Sequence, residues 1–352
     1  MAALSLVLLV QGCGAPMAHY KKIDKKLEAY DYASAEQILE KNKNDYGDRN
    51  SVLFNLDKGI LLHYAGKYED SNALLERAEQ RMDELYTTSV SRVAGSMLTN
   101  DNALPFEGED FEKVMVNIIM ALNYANMNKW EDALVEARKV DVKLGVISSK
   151  NSGKNVYKED AFARYLSAVL LESQSQWNDA LIDYRTAYKD FKSYYKNYKT
   201  TLPPYIGYDL QRSASRINFA EDLAQFKQDF PRVKLDDDPA KSAEIVVVAY
   251  AGKAPIKEDY FIQALVPDSA DNPQYVKVAF PKFVPRHSEI AKVDFFIMGK
   301  DGQAYAGNNE QAILMEDITA IAKKDLEDRI GRISAKAIAR AVTKYLAERK
   351  IR

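Results

Sequence analysis

The chain has 352 residues, 47% of them apolar and 28% charged, with a formal net charge of −2. That length accommodates two or three domains with ample core, and the near-neutral balance gives no general pull toward nucleic acid or acidic substrates. One cysteine and three widely separated histidines (His19, His63, His287) exclude an internal disulfide and a Cys/His zinc site of the finger kind.

Residues 2–10, AALSLVLLV, form one apolar run. It is too short to span a bilayer, which takes about 20 residues, but it has the length of a signal-peptide hydrophobic region. The next residues, Val10-Gln11-Gly12-Cys13, resemble the lipobox of bacterial lipoproteins: an aliphatic residue, a variable one, a small one, then the cysteine. The resemblance implies a signal peptide over 1–12 and a lipid, palmitate among its acyl chains, on Cys13. Several acyl chains anchor stably where one does not. Gly14 is not the aspartate that typically keeps lipoproteins at the inner membrane, which points to an outer-membrane address with the body periplasmic or surface-exposed. No Lys or Arg precedes the apolar run, so either the true start is expected upstream or the sequence is trimmed there.

Three stretches then align: GILLHYAGKYEDSNALLERA (59–78), ALNYANMNKWEDALVEARKV (121–140) and AVLLESQSQWNDALIDYRTA (168–187). Each opens on a small residue (Gly59, Ala121, Ala168) with a large one three later. An aromatic follows (Tyr68, Trp130, Trp177), then a small residue (Ser71, Ala133, Ala180), and Leu75/Ala78, Ala137/Val140 and Tyr184/Ala187 close the pattern. The spacing resembles the tetratricopeptide repeat, a pair of antiparallel helices whose small residues allow close approach and whose aromatic wedges between neighbours. YDYASAEQIL (30–39) is a degenerate fourth copy, with Tyr32, Ala35 and Leu39 in the same roles. Both tryptophans occupy the same repeat position and so read as packing residues.

The equivalent aromatics lie 36, 62 and 47 residues apart, against about 34 in a regular array. The excess falls in 84–110, expected as a further helix plus a loop, and in LGVISSKNSGKNVYKED (144–160), expected as a polar loop. SSKNSGKN lacks the first glycine and the Ser/Thr of a phosphate loop, so no phosphate site is expected there. Seven tyrosines crowd 184–210. Tyr184, Tyr188, Phe191 and Tyr195 have the spacing of one helical face, although a stacking surface for glycan or extended peptide is the alternative. Pro203-Pro204 ends that helix, and helix resumes over about 207–229.

VKLDDDPAKSAE reads as a linker, centred on 233–243, after which the periodicity changes. EIVVVAYAG (244–252), DYFIQALV (259–266), YVKVAFPKF (275–283) and KVDFFIMG (292–299) read as strands, and KDGQAYAG (300–307) carries an Asp-Gly hairpin signal. They predict a small antiparallel sheet of four to six strands. The last helix starts near Glu316. It sets Arg329, Arg332, Lys336, Arg340 and Lys344 on one basic stripe beside an apolar one, with eight Lys/Arg against one acid from 329 onward.

The predicted fold is mainly α: an irregular tetratricopeptide-like helical repeat array over 13–232, followed by a small α+β domain with an antiparallel sheet over 244–352. The order of the lipobox, NALPFEGEDFEKVMVNIIMALNYANMNKWEDALVEARKV (102–140), the strand-rich segment with AFPKF, and DLEDRIGRISAKAIARAVTKY also resembles, from Cys13 to about Tyr345, a group of uncharacterised bacterial tetratricopeptide-repeat lipoproteins. Their genes are often found beside those of lipoproteins that activate penicillin-binding proteins. The resemblance implies an envelope role and carries over no catalytic residues.

No HExxH, G-x-S-x-G, free cysteine nucleophile or glycine-rich phosphate loop is present, so no enzyme is expected. Neither a metal, another cofactor nor a nucleic-acid partner is expected. Stacked repeats build extended surfaces that bind other proteins, which predicts a membrane-anchored scaffold with an envelope protein as partner. The alternative is direct binding of peptidoglycan, other glycan or lipopolysaccharide, and a third class is a structural subunit of an envelope machine. Candidate contact residues are Tyr194, Tyr198, Arg329, Arg332, Lys336 and Arg340.

Overall fold

A computed structural model describes residues 19–92, 105–150, 156–235, 244–266, 274–286 and 290–351. The lipobox and Cys13 lie outside the described residues. Two compact units make up the chain. One comprises 1–108, 258–280 and 336–352, the other 109–257 and 281–335. Both take residues from either side of the expected 233–243 linker.

Helix hairpins account for most of the described residues of both units. In the first unit α1 (Tyr20–Glu28) pairs with α2 (Tyr32–Lys41), and, after the short α3 (Lys43–Tyr46) and a 3-10 turn, α4 (Ser51–Tyr64) pairs with α5 (Tyr68–Arg92). In the second, α6 (Asp110–Asn126) pairs with α7 (Trp130–Lys150), α8 (Ala161–Ser173) with α9 (Trp177–Tyr198), and α10 (Ile206–Arg216) with α11 (Ala220–Asp229).

The same device turns every one of these hairpins. Tyr30, Gly66, Asn128, Ser175 and Asn218 stand at φ between 55° and 72°, and each N–H reaches the carbonyl three residues back. The following N–H, from Asp31, Lys67, Lys129, Gln176 or Phe219, reaches the carbonyl five back at 2.8–2.9 Å. This Schellman closure satisfies the last carbonyls of the first helix. The fifth hairpin, α10/α11, escaped the repeat pattern because Gln211, Ala220 and Leu223 replace its small, aromatic and small marks.

The small marks sit where helices touch. Ser71, Ala121, Ala133, Ala168 and Ala180 are fully buried, and a Cβ on Gly59 would stand 2.7 Å from Leu75 Cδ2. Tyr68, Trp130 and Trp177 are half-buried, with Arg216 over the Trp177 ring at 5.3 Å. A continuous apolar core runs through the second unit from Phe111 to Phe226 and takes in Ile321 and Ala322. Each large side chain buried there contributes about 1.5–3 kcal/mol.

Several local expectations change. Residues 144–150 are not loop: α7 continues to Lys150, because Leu144 and Ile147 extend its buried face. The buried face of α9 runs through Ala180, Tyr184, Ala187, Phe191, Tyr194 and Tyr198, whereas Tyr195 is 59% exposed. The face advances by alternating steps of four and three, so the adjacent pair Tyr194-Tyr195 divides between core and water.

Residues 244–252 form no strand; Ile245, Val246, Val247 and Tyr250 are exposed, and only Val248 packs on the helical core. Strand-forming side chains do not suffice without a ladder partner. In place of a single sheet, the described residues form two two-stranded ones: β1 (Ile256–Val266) beside β2 (Gln274–Val284), and β3 (Asp294–Met298) antiparallel to β4 (Ala304–Gln311). The Asp-Gly signal does turn the second hairpin, with Gly302 at φ 76° and Gly299 N–H on the Gln303 carbonyl at 2.8 Å. The last helix, α12, spans Ile318–Ile351.

Candidate functional site

The second unit's hairpins hold a later part of their own chain, and three clusters of buried polar side chains make the attachment. At α10, the i, i+3 spacing puts Asp209 and Arg212 on one face. Arg212 also meets Glu172 of α8 at 2.7 Å and bonds to Glu244 beyond the linker. Tyr165 donates to Asp209 and Tyr184 to Glu172, both at 2.7 Å. Burial pushes the Asp209 carboxyl up to about 7, against the pull of Tyr165 and Arg212. It raises Glu172 as well. One guanidinium thus serves three carboxylates drawn from α8, α10 and the 244–257 segment.

The second cluster stands at the entrance to α6. Glu109, whose N–H is taken by Glu112 of the first turn at 2.7 Å, binds Lys257 and receives Arg329 of α12 at 2.8 Å. Arg329 reaches Asp325 one turn back at 2.6 Å. Glu109 is buried, yet those two cations hold its carboxyl below the usual range. Asp325 is pushed up to about 7 by burial, with Arg329 opposing.

The third cluster stands at the entrance to α8. Asp160 caps that helix by accepting the Ala163 N–H at 2.7 Å and the Tyr157 hydroxyl at 2.7 Å, and burial raises its carboxyl. Beside it, Asp328 of α12 accepts the Val156 N–H at 2.5 Å, and Tyr205 reaches the Gln311 carbonyl at 3.3 Å.

The residues expected at a partner surface are differently placed. Tyr194 and Tyr198 are 1% and 6% exposed and stack edge-on within the core, so neither is available to a partner: their rings complete α9's inner face. Arg329 is committed to Glu109 and Asp325. Arg332 is exposed and Lys336 and Arg340 half-buried, and each already has an interaction partner. Glu109, Glu172, Asp209, Arg212, Glu244 and Lys257 were not singled out. Only the Asp209/Arg212 spacing and the Glu109–Glu112 cap leave a local trace. Among the described residues no group of three or more His, Cys, Asp or Glu is arranged to hold a metal. None of the described helices is long and apolar enough to cross a membrane.

Neither a protein-family profile nor a characterised protein matches the sequence. Among solved structures, the apo form of RapI is 12% identical over 60% of this chain and 51% of its own, with a TM-score of 0.43. BtubC from P. vanneervenii is 11% identical over 66% and 86%, at 0.41. MamA AMB-1 is 16% identical over 61% and 89%, at 0.35. The chain thus spans about half of RapI and most of the other two.

Proposed function

We propose that this chain is a protein-interaction scaffold of the bacterial envelope, tethered through a lipid on Cys13 and engaging polypeptide segments of an envelope partner on its helix hairpins. One observation carries the reading. The hairpins α6/α7, α8/α9 and α10/α11 hold chain from beyond residue 243 by inserting its charged side chains between their own, at Arg212 and Glu109. Surfaces that accept a segment in cis have the chemistry to accept one in trans: paired charges at fixed separation with apolar ground between them. The lipobox resemblance at 10–13 supports the tether, and the resemblance to envelope lipoproteins supports the compartment.

Crosslinking in intact cells followed by mass spectrometry tests the scaffold. Reproducible protein neighbours are expected, and their absence refutes it. Retention on purified sacculi that is lost on Arg332→Glu with Arg340→Glu would replace it with a glycan-binding role. Cys13→Ser should move the protein out of the membrane fraction with its circular dichroism unchanged; unchanged fractionation refutes the tether.

A further inference from the structure

We propose that the Arg212 hub of α8 and α10 is a docking site for a polypeptide segment carrying an acid followed, four residues later, by an aliphatic side chain, and that residues 244–248 of this chain are its displaceable stand-in. The proposal rests on the scaffold reading above and gives it one site and the chemistry of its occupant.

The hub is built without the segment. Arg212 is nine-tenths buried, and one of its terminal nitrogens is fixed by Glu172 at 2.7 Å and Asp209 at 3.0 Å. The Tyr208 ring lies 5.0 Å from the guanidinium carbon. Tyrosine hydroxyls steady both carboxylates, Tyr184 on Glu172 and Tyr165 on Asp209, each at 2.7 Å. The other terminal nitrogen takes Glu244. Arg212 Nε is shielded from water and has no acceptor among the described residues. A buried donor left unpaired costs free energy, so Glu244 does not complete the site.

Glu244 is the replaceable partner of the three. Its side chain is half-exposed, whereas those of Glu172 and Asp209 are sheltered inside the helices. Burial raises the Glu172 carboxyl and lifts Asp209 to about 7, which leaves the guanidinium charge open to a third carboxylate. The run after Glu244 is poorly matched to its surroundings. Ile245, Val246 and Val247 are exposed and belong to no strand, and only Val248 packs on the helical core. β-Branched side chains in water without a ladder contribute little to a fold.

The grips farther along belong to a separate stretch. The Ala254 carbonyl accepts Arg286 Nε at 2.7 Å, and Lys257 binds Glu109. Residues 244–248 therefore lift from the hub while 254–257 stay in place. Their two grips, Glu244 and Val248, define the ligand. An incoming segment with the same acid and aliphatic spacing reproduces both, and one that also presents an acceptor to Nε satisfies the site better than Glu244 does.

Fluorescence anisotropy with the full chain tests this. The probe is fluorescein-labelled KSAEIVVVAYAGK, residues 241–253 of this sequence. A site filled by its own segment in at least about nine molecules of ten weakens the apparent Kd by at least about tenfold. The probe should therefore bind Glu244→Gln with Val248→Ser at least about tenfold more tightly than the unchanged protein. Glu244→Gln alone, at a half-exposed side chain, should already tighten binding. A probe carrying Gln and Ser in place of its own glutamate and fourth-following valine should lose at least about tenfold. Equal binding of the two probes overturns the proposal, as does one Kd for the unchanged protein and both variants. A dimer of the unchanged protein, seen by light scattering and lost in the variants, would put a second copy's segment in the site and overturn it too. Reproducible neighbours in cells without probe binding would overturn this site alone and leave the scaffold standing.

Discussion

Gly59 and Gly145 are both helical glycines, and substituting alanine at each should move stability in opposite directions. An alanine gains about 1 kcal/mol over glycine within a helix, from propensity alone. At Gly145 in α7 a new Cβ meets nothing within 4 Å, so that gain should appear in full. At Gly59 in α4 the Cβ would lie 2.7 Å from Leu75 Cδ2 and 2.9 Å from its Cγ. Leu75 is only 3% exposed, and the Ser71 hydroxyl donating to the Gly59 carbonyl at 2.8 Å holds α5 in place. Overpacking of this kind costs about 1–3 kcal/mol. Set against the propensity gain, Gly59→Ala should destabilise by up to about 2 kcal/mol. Urea unfolding followed by far-ultraviolet circular dichroism measures both. A midpoint that rises in Gly59→Ala as it does in Gly145→Ala would refute the account of the small repeat residues as points of close helix approach.

Arg212→Met leaves Glu172 and Asp209 buried without their cation and should cost about 3–5 kcal/mol in urea unfolding; Glu244→Gln, whose side chain is 49% exposed, should cost far less, and equal losses would contradict a buried hub at Arg212. Tyr194→Ala should cost about 3–5 kcal/mol, while Tyr195→Ala should stay within about 0.5 kcal/mol; the reverse order would mean that α9 turns its other face inward. Burial raises Asp190, Asp209 and Asp325 from 3.8 to about 7. The folded second unit therefore binds more protons than the unfolded chain in that window. Its stability contribution is complete below the unfolded value and is lost as pH rises through about 7. Urea midpoints should be lower at about pH 8 than at about pH 5, and a higher value at pH 8 would refute the assignment.

Much of the helical architecture was legible because its rules are local. A small residue, an aromatic nine later and a small one three after that name a hairpin, since helix faces recur every three to four residues. The same reasoning placed the Asp301-Gly302 turn. It placed helices over about 207–229 but did not show them as a repeat hairpin, because the packing marks of α10/α11 are substituted, although Asn218 keeps the left-handed position that turns the other hairpins. It also chose the wrong phase in α9, where Tyr194 and Tyr195 offer equal hydrophobicity and only the neighbouring helices decide which one is buried.

Tertiary structure alone decided what those hairpins hold. Arg329 and Glu109 are 220 residues apart, and Glu244 lies 32 residues from Arg212; no periodicity connects such positions. The strand-rich segment behaves likewise. Its residues favour β structure, but pairing is a property of two segments, so IVVV at 245–248 stays outside any ladder while less apolar stretches form one. The basic residues of α12 looked free for a partner because sequence shows charge without its neighbours. Once folded, Arg329 is internal, held between Glu109 and Asp325.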